Sequence, residues 1–239
     1  MSHALGGALL PIVLWSGCSS TTVQPTSETE KLGLPVPPVV LVYSFAVNPT
    51  EVIENKSLIH HLIVSREPTP PEERARVIGK EAAEAMADEL VRGISELGLP
   101  AKRAYNDTNI PSNAVTIHGA FLDIDQGNQT KRLVVGFGSG ASRVDTTVYL
   151  FQVNRGTDQK LLEFETHADS GKTPGAVFTM GAGPAAEGEV TSGIAAYQTP
   201  HEQMAARSAG QAVAYISQFF ARESWIAPEK AKKVSYGAN

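Results

Sequence analysis

The stretch from Thr69 to Pro100, TPPEERARVIGKEAAEAMADELVRGISELGLP, constrains the fold of this chain more than any other. Ala75, Ile78, Ala82, Met86, Leu90, Ile94 and Leu97 recur at spacings of three and four, which places them in one apolar stripe on a long helix. A helix with a single stripe must lay it against another layer. Its ends are marked in the sequence: Thr69 as N-cap, Pro70 and Pro71 at the first turn, Glu72 and Glu73 near the positive end, and Gly98 with Pro100 as the stop.

The layer it packs on reads as a sheet. VVLVYSF, Val39 to Phe45, is a β-branched and aromatic run bounded by Pro38 and Pro49, and it predicts a buried first strand. AVTIHGAFLDI (114–124), RVDTTVYLFQV (143–153) and KLLEFETHA (160–168) alternate in part, and NRGTDQ joins the last two as a hairpin turn. A final helix runs from about His201 to Arg222 on Met204, Ala205, Ala209, Ala212, Val213, Ile216, Phe219 and Phe220. Within residues 47–70, SLIHHLIV fits either a short strand or an amphipathic helical turn. The order strand, helix, three-stranded meander, helix predicts an α+β domain: a mainly antiparallel sheet, with a long helix after the first strand and a C-terminal helix packed on one face.

With 239 residues, 42% of them hydrophobic, one core is the expectation. The amino terminus reads as something other than core. Ala4 to Trp15 is apolar but too short to span a bilayer as a helix, and it ends in Ser16, Gly17, Cys18 and Ser19. That ending resembles the lipobox of bacterial lipoproteins, in which the signal is cut before the cysteine and the cysteine is acylated. Trp15 stands where the pattern has an aliphatic residue, and the first Lys or Arg is Lys31. Ser19 to Pro38, rich in Ser, Thr, Pro and Val, reads as a spacer. The expected layout is a signal peptide over 1–17, a lipidated tether over 18–38, one domain over 39–226 and a tail over 227–239.

Two stretches interrupt the domain, 126–142 and 169–199, and both are rich in glycine. In the first, VVGFGSGASRV places Gly136, Gly138 and Gly140 at alternate positions. A dinucleotide loop needs G-x-G-x-x-G before a helix, whereas G-x-G-x-G here precedes a strand-like run. A nucleophile elbow around Ser139 needs glycines where Phe137 and Ala141 stand. In an extended chain the three glycines share one face and leave it nearly bare, so they read as structural glycines that allow close packing or a bend.

Other candidate chemistry is thin. Asp123, Asp125 and Gly127 resemble part of a calcium loop but lack the third ligand and the glycine at the next position. His60 and His61 are adjacent, so on a strand they face opposite sides; His167 and Asp169 can share a face, as can Glu163 and Glu165. Cys18 is the sole cysteine, which excludes an internal disulfide and a cysteine-built zinc site. No cofactor, metal or catalytic set is expected. The net charge of -5, without a basic stripe, argues against nucleic acid as a partner.

The lipobox-like start, VVLVYSF, the helix ending ELGLPAKRA, the block VTIHGAFLDIDQGNQTKRLVVGFGSGASRVDTTVYLFQV and the closing helix with ESWI resemble the bacterial lipoproteins of the family of unknown function numbered 4410. Within that block Gly119, Gly127, Arg132 and the three glycines carry most of the resemblance. It implies an envelope location and no established activity. A looser similarity runs to the curli secretion channel lipoprotein and to the amino-terminal domain of the Tol-system β-propeller protein; in the channel protein the two interrupted places hold membrane-inserting hairpins. The expectation is therefore a non-enzymatic envelope lipoprotein at the periplasmic face of the outer membrane, binding an envelope partner or itself. The alternatives are an oligomeric channel subunit and an envelope enzyme using His167 or the carboxylates.

Overall fold

A computed structural model describes residues 20–53, 70–126, 141–154, 157–170 and 199–237. In chain order these residues form β1 (Ser20–Glu28), β2 (Val40–Tyr43), β3 (Val52–Ile53), helix α1 (Pro71–Leu97), β4 (Ala101–Ala104), β5 (Val115–Asp125), β6 (Arg143–Asn154), β7 (Thr157–Asp169) and helix α2 (Pro200–Arg222). The strands make one sheet in the order β1-β7-β6-β5-β2-β4, with β3 beside the far end of β5.

The expected α+β architecture is present, but the sheet is mixed. The pairs β1–β7, β7–β6 and β6–β5 are antiparallel, while β2 runs parallel to both β5 and β4, and β3 parallel to β5. The long helix is the reason for the β2–β4 pair. It carries the chain back to the end where β2 began, so the next strand can only run the same way. β4 was not expected as a strand, because AKRA has no apolar alternation; α1 holds it instead, through Arg103 Nη1 to Asp88 (2.7 Å) and Glu84 (2.9 Å).

Both helices lie on one face. Met86, Leu90 and Ile94 of α1 and Ile216, Phe219 and Phe220 of α2 are buried with Val40, Val42, Ile117, Val148, Leu150, Leu162 and Phe164 of the sheet. Gly98 ends α1 at φ 98°, the left-handed cap its position predicts. Pro70 holds the N-cap position of α1, and Thr69 lies outside the described residues. A capping box opens α2: Thr199 Oγ1 accepts from the Glu202 amide while the Glu202 carboxylate accepts from the Thr199 amide at 2.8 Å. Gly119 sits where β5 passes under Phe45; a side chain there would collide with that ring and with the Thr147 carbonyl.

The boundary at Val39 is corrected by β1. Residues 20–28, expected within a tether, pair with β7 from Ser20 opposite Asp169 to Glu28 opposite Leu162. An edge strand needs backbone partners more than apolar side chains, and β1 fully buries Val23 alone. Pro25 is tolerated because the register shifts between Pro25 and Ser27. The rest of the supposed tether is tied down as well: Leu32 N and Leu34 N donate to the buried Glu223 carboxylate (2.9 and 3.0 Å), and Trp225 Nε1 donates to Leu34 O (2.9 Å). The supposed tail returns to the outer edge of β1, where Val23 N donates to Ser235 O at 2.8 Å.

Candidate functional site

The face of the sheet away from the helices is the candidate surface. Register decides what it shows. Asp145 of β6 lies opposite His167 of β7 and opposite Asp123 of β5, while Arg143 lies opposite Asp169 and Asp125. Since side chains alternate along each strand, these residues share one side of the sheet.

His167 is held between two carboxylates. Its Nδ1 bonds Asp145 Oδ1, and its Nε2 stands 3.6 Å from Asp169 Oδ2, which also accepts from Ser20 Oγ at 2.9 Å. The carboxyl of Asp123 is pushed above the ordinary carboxylate range, first by burial and then by the charges of Asp145 and Asp125. The carboxylates around this ring make an acidic band that attracts cationic groups.

Further along the same face the chemistry turns aromatic. Tyr43 stacks on His118 with ring centroids 4.4 Å apart, His118 meets Phe151 edge-on at 6.0 Å, and Phe151 lies 6.4 Å from Tyr149. Burial among these rings lowers the pKa of His118, against a weaker opposing pull from Asp158. Rings that lie on a helix-free face offer flat apolar area next to a charged band.

A third cluster sits at one end of the sheet. Ser142 Oγ donates to Gln126 O (2.8 Å), Ser142 N to Ser170 Oγ (2.9 Å) and Ser170 N to Ser142 O (3.0 Å). The buried His201 ring stands 3.1 Å from Gln126 Nε2 at Nδ1, and at Nε2 2.8 Å from Glu81 Oε2 and 3.1 Å from Thr199 Oγ1. Glu81 can only accept, so Nε2 carries the proton and Nδ1 accepts from the Gln126 amide. Burial keeps this imidazole below its ordinary pKa despite Glu81 and Glu202.

Of the residues singled out in the sequence, His167 and Asp169 do come together. Glu163 and Glu165 lie on the same face, and Lys160 pairs with Glu163. Cys18, His60, His61, Gly127, Gly136, Gly138 and Gly140 lie outside the described residues, as do most of 126–142 and 169–199. Sequence reasoning missed Asp145, His118 and His201, whose partners come from other strands or helices; the one local signal was Asp145 as the lone acid in RVDTTVYLF. Among the described residues, no group of His, Cys, Asp and Glu is arranged to hold a metal ion, and no helix is long and apolar enough to cross a membrane.

Residues 40–186 match the model of a family described as Domain of unknown function (DUF4410). No curated protein matches the chain. Among solved structures, a PelC dodecamer from Paraburkholderia phytofirmans is 14% identical, covers 65% of this chain and 86% of its own, and gives a TM-score of 0.35. A variant of that dodecamer gives 14%, 66%, 84% and 0.33 for the same quantities. The crystal structure of an uncharacterized protein is 12% identical and covers 81% of this chain and 99% of its own, with a TM-score of 0.33.

Proposed function

From the premise that this chain belongs to the family described as domain of unknown function DUF4410, we propose that it is a non-enzymatic envelope lipoprotein. It is acylated at Cys18, held at the periplasmic face of the outer membrane, and binds or assembles a partner through its open sheet face. The observation that carries the reading is that face: a carboxylate band through Asp123, Asp145 and Asp169 continuous with the ring row Tyr43, His118, Phe151 and Tyr149, with both helices on the other side. Flat aromatic area beside fixed charge suits recognition of a surface that is itself apolar and cationic.

Two measurements test it. Intact mass with membrane fractionation, comparing wild type with Cys18→Ala, should show an acyl adduct on Cys18 and release of the variant from the membrane. A variant that stays fully bound counts against the anchor. A photo-reactive phenylalanine analogue in place of Tyr149 should capture an envelope protein, and the same analogue at Lys80, on the helix side, should not. Equal capture from both positions removes the binding face.

A second reading is an oligomeric channel subunit built from 126–142 and 169–199. It is favoured by the hydrogen bonds that join Gln126, Ser142 and Ser170, where those stretches meet the fold. It predicts a ring-sized particle by light scattering in detergent, and a monomer ends it.

A further inference from the structure

The end of the sheet at which β1 begins is marked by one transverse row. Ser20 lies opposite Asp169, Asp169 opposite Arg143, Arg143 opposite Asp125, and Asp125 opposite Ile53. With strands about 4.8 Å apart, this row of five is about 19 Å wide. Gln126 N donates to Ile53 O (3.0 Å), and Gln126, Ser142 and Ser170 are bonded to one another just beyond it.

Cys18 is two residues from Ser20. Even a fully extended chain covers only about 7 Å over that distance. The tether expected over 18–38 does not separate the anchor from the fold, because β1 takes up its first residues in the ladder with β7.

We infer that this rim, Ser20–Asp169–Arg143–Asp125–Ile53, is the membrane-facing pole of the protein, seated on the phospholipid surface in which the Cys18 acyl chains are embedded. The inference rests on the lipoprotein reading and adds an orientation to it. Two further features agree. Ile53 and Leu122, both toward this end, are the large hydrophobic residues that the strands leave more than a third exposed, at 47% and 44%. The described residues also break off or resume here at Ile53, Gln126, Ala141, Ser170 and Thr199, so the connections between 126 and 141 and between 170 and 199 start and finish beside the lipid. With two aspartates and one arginine, the row has no cationic excess to draw it to anionic lipid. The acyl anchor and the short reach set the orientation.

The test uses the full mature protein, purified from membranes in detergent and reconstituted into vesicles of phosphatidylethanolamine and phosphatidylglycerol containing a headgroup spin-labelled lipid. Cys18 is the only native cysteine, so once acylated it leaves Arg143→Cys or Asn154→Cys as the single site for a thiol-reactive fluorophore. These positions are the two ends of β6, about 36 Å apart for a strand of that length. The spin-labelled lipid should quench the label at 143 at least several-fold more than the label at 154. Equal quenching, or the reverse order, with the acyl adduct present by mass in the same sample overturns the orientation alone. A sample without the adduct overturns both the orientation and the anchor.

Discussion

At the scale of single residues, burial and neighbouring charge set the chemistry. His201 and His118 are both held toward the neutral form by burial. Their folded pKa values lie below the unfolded one near 6.5, so the unfolded chain takes up protons first as pH falls. Stability is therefore full above about pH 6.5 and declines as pH drops through that value toward the folded pKa. Urea midpoints of the wild type should fall between pH 7 and pH 5, and His201→Gln and His118→Gln should each flatten that slope; an unchanged slope in both contradicts the assignment. Asp123 has the opposite sign. Its raised pKa means that ionisation opposes folding, so Asp123→Asn should raise Tm at pH 7 and lose that advantage once the wild-type carboxyl is protonated. Gly119→Ala forces a methyl group against Phe45 and the Thr147 carbonyl, and chemical denaturation should register a loss of about 1–3 kcal/mol from overpacking.

At the scale of elements, the sequence was readable wherever an element buries a face of its own. The stripe from Ala75 to Leu97 became α1, the run from Met204 to Phe220 became α2, and the three alternating stretches became β5, β6 and β7 within a few residues. β1 and β4 were not readable. STTVQPTSE and AKRA bury little, and they are strands because β7 and β2 present unpaired backbone to them. The candidate face was half-readable for the same reason: alternation placed His167 and Asp169 together within one strand, whereas Asp145 joins them only through the register between β6 and β7. β1 should then depend on its one fully buried side chain. Val23→Asp puts an uncompensated carboxylate in the core, and hydrogen exchange should show the β1 amides opening while those shared by β5 and β6 stay protected. Uniform loss of protection would mean that β1 is integral to the whole sheet.

At the scale of the molecule, β1 and the C-terminal segment close one edge together. Val23 lies opposite Thr166 of β7 on one side and is bridged to Tyr236 on the other, its N–H and C=O bonded to Ser235 O and Gly237 N, while Glu223 and Trp225 fasten Leu32 and Leu34 beside the end of α2. A chain beginning at Val39 loses all of these and exposes the outer edge of β7. Its Tm should fall below that of a chain beginning at Ser20, and an unchanged Tm would return residues 20–38 to the role of a spacer. The elements with an apolar face are legible from residue order alone, because hydrophobic periodicity is local and the spacing of side chains along a helix or strand is fixed by its geometry. Which strands close the edges, that β2, β3, β4 and β5 run parallel, and that β1 begins at the end of the sheet where Gln126, Ser142 and Ser170 are joined emerged only in the folded chain. Those outcomes depend on backbone hydrogen bonds and chain closure between distant segments, and neither leaves a periodic trace in the side chains.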